Sequence, residues 1–142
     1  SSAENLAGVT FHRIRPPDVP VQAANLLHEN AHKRYMALSR ISHFLENDGT
    51  ERVPSPWRMD LRPVRGVLYG LHAFTIVSKF YYTAICSRLP WAESLEPKLE
   101  KEVARLRQGR EIVYRYGKLT PFGERFFQSL NENIELLCAV IS

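Results

Sequence analysis

Residues 19–46 read VPVQAANLLHENAHKRYMALSRISHFLE, and the apolar residues of this stretch recur every three or four positions. Val21, Ala24, Leu27, Ala31, Tyr35, Leu38, Ile41 and Leu45 would share one stripe of a helix, so the spacing predicts an amphipathic helix from Val19 to about Glu46. Pro16-Pro17-Asp18 precedes it and offers Asp18 as the N-cap, while Asn47-Asp48-Gly49 supplies turn chemistry at its end.

Working outward, Gly8–Arg15 opens with an alternation, Val9 and Phe11 against Thr10 and His12, that predicts one short strand. After the first helix, Thr50–Pro63 (TERVPSPWRMDLRP) carries three prolines, Trp57 and three arginines. It is too irregular for a helix and reads as an ordered, functional loop. A second, more apolar helix is expected over Val64–Leu89. A third, charged and amphipathic, is expected over Ser94–Tyr116, with Pro97 in its first turn and Gly117 as C-cap. Thr120-Pro121 starts a fourth, with threonine as N-cap and proline at the first helical position. The expected fold class is mainly α: about four helices with one short N-terminal strand, in a single domain over residues 1–142.

Composition fits that reading. The chain has 142 residues, 44% hydrophobic and 24% charged, enough apolar material for a core and too much for a disordered tail. Arg65, His72 and Lys79 interrupt the longest apolar stretch, which argues against a membrane partner. The opening residues lack the basic-then-apolar pattern of a secretory signal. Cys86 and Cys138 lie far apart inside apolar helical patterns, as reduced core residues of a cytoplasmic protein would. The net charge of +4 comes from 14 arginines and 5 lysines against 15 acids. Arginine is the two-pronged donor for carboxylate and phosphate. A nucleic-acid partner is disfavoured, because the arginines are spread over loops and helices and form no single basic stripe.

The first helix contains His28-Glu29-Asn30-Ala31-His32, an HExxH motif. Residues four apart stack on one helix face, so both imidazoles can reach one metal ion. Glu29 is rotated by about 100° around the axis, where it could act on a metal-bound water. The plain alternative is a pair of surface histidines on an amphipathic helix. A metal site needs a third ligand, and His43 and Glu46 lie about three turns further along the same helix, out of reach. His72, on the apolar second helix that should fold back against the first, is the better-placed third ligand. Arg58, Arg62 and Arg65 follow Trp57 at spacings of four and three, a cluster suited to holding a carboxylate.

Four blocks together carry a resemblance: Ser1–Ala3 with Gly8–Phe11, Arg15–His32, Pro56–Phe74 (PWRMDLRPVRGVLYGLHAF) and Tyr116–Phe126 (YGKLTPFGERF). Over nearly the whole chain the sequence resembles the HExxH-type peptide β-hydroxylases associated with ribosomally made, post-translationally modified peptides. The resemblance implies an oxygenase dependent on iron(II) and 2-oxoglutarate that hydroxylates the β-carbon of a residue in a precursor peptide. His28 and His32 would then bind iron, and a third protein ligand would leave positions open for 2-oxoglutarate and oxygen. Arg58 and Arg62 would bind the distal carboxylate of 2-oxoglutarate, and Glu29 would either support the metal ligands from behind or handle protons. Trp57, Arg65 and Tyr69 would face the peptide. Many relatives carry a histidine in the GVLxG segment where this chain has Tyr69, which leaves His72, one turn on, or Tyr69 itself beside the metal. Relatives are usually longer, with a region before the first block, so a fragment, a processed product, a short form and a domain completed by a separate subunit all stay open. Two other functions compete: a zinc metallopeptidase with Glu29 as general base, and a non-catalytic helical binding module.

Overall fold

The computed structural model of the protein describes residues 19–47 and 51–141. In chain order these form α1 (Val19–Ile41), β1 (Arg52–Ser55), β2 (Arg58–Pro63), α2 (Val64–Cys86), a single 3-10 turn (Glu93–Leu95), α3 (Glu96–Tyr116) and α4 (Pro121–Ile141). The fold is mainly helical, with one small antiparallel hairpin. The expected strand over Gly8–Arg15 and the caps at Asp18 and Asp48-Gly49 lie outside the described residues.

The apolar pattern explains why α2 sits at the centre, packed against α1, α3, α4 and both strands. Its buried residues, from Val64 through Leu68, Leu71, Val77 and Ala84, cover more than one face. α3 buries a single stripe, Leu99, Val103, Leu106 and Val113, and α4 buries Phe127, Leu130, Ile134 and Leu137. Leu68, Leu71, Leu106 and Ile134 are entirely shielded. Each contributes about 1.5–3 kcal/mol through removal from water. An Arg110–Glu135 ion pair ties α3 to α4 at the surface. A smaller cluster, Ala84, Ala92 and Leu95 with Trp91 against it, closes the α2–α3 turn. Among the described residues, no helix is long and apolar enough to cross a membrane.

The expected elements needed four corrections. α1 ends at Ile41, not Glu46, where the chain leaves the helix to pair with the segment that enters α4. There the chain runs extended beside the segment that enters α4. Leu45 bridges Leu119, and the Glu46 N–H donates to the Lys118 carbonyl at 2.7 Å. Asn47 fastens this junction from both sides, donating to the Tyr116 carbonyl and accepting from the Lys118 N–H, each at 2.8 Å. Thr120 caps α4 as expected, its hydroxyl accepting from the Gly123 N–H at 3.0 Å.

Second, the expected loop is a hairpin, with Val53 opposite Arg62, Ser55 opposite Arg58 and an irregularity between Val53 and Ser55. Pro54 falls in that irregularity, where a missing N–H does least harm. Third, α2 stops at Cys86 and α3 begins at Glu96 after the 3-10 turn. Gly117 does follow α3, but with extended backbone (φ −84°), not as a left-handed cap. Fourth, Cys138 is buried but Cys86 is exposed, on the outer side of the last turn of α2.

Candidate metal centre

α1 and α2 pack antiparallel, since His28 meets Phe74 while His32 and Tyr35 meet Tyr69. The i, i+4 spacing places the two imidazoles side by side, with ring centroids 4.6 Å apart and an interplanar angle of 54°. His28 lies 5.0 Å from the Phe74 ring, and His32 meets Tyr69 edge-on at 4.2 Å and 76°. Both histidines open onto a cavity of about 240 Å³. The hairpin supplies one wall with Ser55, Trp57, Arg58 and Arg62, and α2 supplies the other with Gly66, Tyr69, Gly70 and Phe74.

Trp57 fixes the hairpin over this cavity. Its ring stacks on Phe74 at 5.1 Å and 9°, and its indole N–H donates to Glu102 on α3 at 2.9 Å. The ring is seated against two glycines. A Cβ on Gly70 would come within 2.8 Å of it and one on Gly109 within 3.0 Å, so any larger residue would displace the indole. Glu102 also accepts from Arg105 at 3.2 Å and is only 12% exposed. The sequence reading did not single out Glu102, Gly70 or Phe74. A half-buried indole requires an acceptor, and that requirement was the available signal for Glu102.

The cavity favours a neutral His28. Burial, reinforced by neighbouring His32, pulls His28 below the usual histidine range against the opposing attraction of Glu29 and Glu102. A neutral ring is the form that binds a metal. Two residues of the lining, Arg62 and Tyr69, each carry a buried polar atom, Nε and Oη, without a hydrogen-bond partner among the described residues. Asp60 approaches Arg62 Nε to 3.5 Å but forms no hydrogen bond with it. Buried polar atoms are normally satisfied, so these two are exceptions within the described fold. Two imidazoles beside a phenol are a nitrogen–oxygen donor set suited to iron or zinc.

The remaining candidates separate. Arg58 lies exposed on the rim of the same cavity. Arg65 does not line it. Arg65 belongs to an adjoining cavity of about 510 Å³ between the end of α1 and the start of α2, bordered also by Met36, His43 and Phe44. Gly66 and Tyr69 line both spaces, so they form the wall between them. Glu29 is exposed and outside the cavity lining. His72 is not brought to the histidine pair as a third ligand. Its ring is buried 5.3 Å from Phe126 and 6.2 Å from Tyr35, its Nε2 has no partner among the described residues, and it is absent from the lining. Burial first, then Arg34 and His32, pushes its pKa down to about 4. Among the described residues, no three histidine, cysteine, aspartate or glutamate side chains gather closely enough to hold one ion. In comparisons with known proteins, no family model matches the chain and no curated protein matches it.

Proposed function

We propose that this chain is the metal-binding domain of a cytoplasmic iron(II)- and 2-oxoglutarate-dependent oxygenase that hydroxylates the β-carbon of a residue in a ribosomally made precursor peptide. The observation that carries the reading is the histidine pair lining one cavity together with Arg58 and Arg62. On this reading one part of the lining would hold the metal and another the anion, around a space of about 240 Å³.

His28 and His32 would hold the iron as neutral donors, their rings fixed by Phe74 and Tyr69. Arg62, with Arg58 at the rim, would orient the distal carboxylate of 2-oxoglutarate through charge-assisted hydrogen bonds. Trp57 and Phe74, stacked in the lining, would limit the access of water to the reacting groups. The adjoining cavity, with Arg65 and His43 on its border, would take the peptide. When bound, iron(II) with 2-oxoglutarate and dioxygen supplies the oxidising chemistry that replaces a C–H hydrogen by hydroxyl. The exposed position of Glu29 disfavours the peptidase alternative, in which that carboxylate must act inside the site.

Anaerobic metal analysis followed by titration with 2-oxoglutarate tests the proposal. Bound iron and a visible charge-transfer band on addition of 2-oxoglutarate are expected. Tight zinc without any response to 2-oxoglutarate would favour the peptidase. Protein that takes up neither metal would leave a non-catalytic binding module.

A further inference from the structure

The geometry points to Gly66 as the crossing point of one ligand that occupies both cavities, a linear peptide with a large apolar residue beside an acidic one. The inference deepens the function proposed above and rests on it for taking the occupant to be a peptide. Gly66 and Tyr69 line both the histidine cavity and the adjoining space of about 510 Å³. Gly66 sits in the first turn of α2, exposed and helical. Glycine weakens a helix relative to alanine, so its place there calls for a reason. The other four glycines of the described residues have one in the packing. A Cβ at Gly70 or Gly109 would meet the Trp57 ring, and one at Gly117 or Gly123 would run into a backbone carbonyl. At Gly66 a Cβ would find only Arg62 Cβ, at an ordinary 3.6 Å. Nothing in the described fold needs the missing side chain.

What the gap leaves is a low point in the wall, where an extended backbone can pass from one cavity to the other. The chemistry of the two spaces selects that backbone's side chains. The larger cavity is lined by the buried Tyr35, Phe44 and Leu45 and by Met36, which is 51% exposed. Such a lining takes a large apolar side chain, aromatic or aliphatic. Arg58, Arg62 and Arg65 lie along the two cavities, and no aspartate or glutamate of the described residues lines either. A lining of that sign draws an acidic residue. An extended peptide presents successive side chains in different directions, so one segment can fill both spaces at once.

A random linear peptide library displayed on phage, selected on the full chain with and without cobalt(II) and 2-oxoglutarate, supplies the probe. Enriched sequences should pair a large apolar residue with a neighbouring aspartate or glutamate. The best of them, made synthetically and measured by isothermal titration, should bind Gly66→Leu at least about tenfold more weakly than the parent, the worth of one buried apolar side chain. Replacing the apolar residue of the peptide by alanine should cost the parent a similar factor and cost Gly66→Leu little. Met36→Glu, at a half-exposed position that tolerates charge, should also weaken binding. Gly66→Ala should melt at or above the parent temperature, since its Cβ has room. Enrichment of peptides without that pairing, no enrichment at all, equal affinity for Gly66→Leu, or a lower melting temperature in Gly66→Ala would each overturn the crossing. If that happens in protein that binds iron and responds to 2-oxoglutarate, the crossing fails while the oxygenase reading stands. If the pairing and the Gly66→Leu loss appear in protein that takes up no metal, the crossing stands and the oxygenase reading fails.

Discussion

Two junctions where non-helical chain meets helices follow opposite rules. Where residues 42–47 meet residues 117–123, polar groups find partners: Asn47 bridges both sides, Thr120 caps α4, and backbone bonds link Glu46 to Lys118. Where the hairpin meets α1 and α2, several do not. Of the six buried side-chain polar atoms without partners among the described residues, five belong to Arg62, Tyr69, His72, Thr75 and Ser78, on the hairpin or α2; the sixth is in Asn131 on α4. The first junction is complete as it stands. The second carries a buried polar deficit that a structural role does not explain, and two of the residues that bear it, Arg62 and Tyr69, line a cavity. The hydroxyls of Thr75 and Ser78, further along α2, have no explanation in the fold.

The comparison can be broken in four ways. The largest effect is expected from acid at His72. Its folded pKa of about 4 lies below the ordinary histidine value of 6.5, so the unfolded chain takes up the proton first. Stability is then fully present above about pH 6.5 and falls as pH drops towards 4, by about 3 kcal/mol in all. Urea unfolding across that range should show the slope in the parent and a flatter profile in His72→Phe. Equal slopes would mean that His72 is not held neutral.

Next comes His32→Ala, expected to weaken metal binding about 100-fold, at or above the upper end of what loss of a supporting group costs, without lowering the melting temperature of the metal-free protein. A large drop in melting temperature would make His32 part of the packing and erase its contrast with the paired junction. Asn47→Ala should do the reverse, removing about 1.5 kcal/mol of stability while metal affinity stays at the parent value. If metal affinity falls with it, the two junctions are not independent. The smallest change is expected from Arg62→Leu. Loss of one charge-assisted contact should weaken 2-oxoglutarate binding about tenfold in isothermal titration, with no loss of stability. An unfolding free energy more than about 1 kcal/mol lower would show that the ion pair with Asp60 is structural.

How much of this could be read beforehand follows from where the information lies. α1, α3 and α4 announce themselves because their patterns are local. Ala31 and Tyr35, the Leu99-Val103-Leu106 stripe, and Thr120-Pro121 all lie within one or two turns. His28 and His32 were legible for the same reason, since four residues along a helix fix their relation. The hairpin was not. Its order depends on Trp57 reaching Glu102, 45 residues away, and on two glycines on different helices. His72 attracted attention because a buried histidine on a returning helix resembles a ligand. What separates it from Tyr69 is the rotation of α2 between α1 and α4, which the residues of α2 do not encode by themselves. The arginine cluster divided for a related reason: Arg58 and Arg62 sit on a strand, whereas Arg65 belongs to the first turn of a helix and opens on the neighbouring space.

The seating of Trp57 has a practical consequence. The chain has two tryptophans; Trp91 packs in the small cluster at the α2–α3 turn, so Trp57 alone looks into the cavity of the histidine pair. In Trp91→Phe protein, all indole emission originates at the cavity wall. The molecule then carries its own optical gauge: a paramagnetic ion seated between His28 and His32 would quench that emission, and a carboxylate drawn in by Arg62 would shift it, with no dye or label attached.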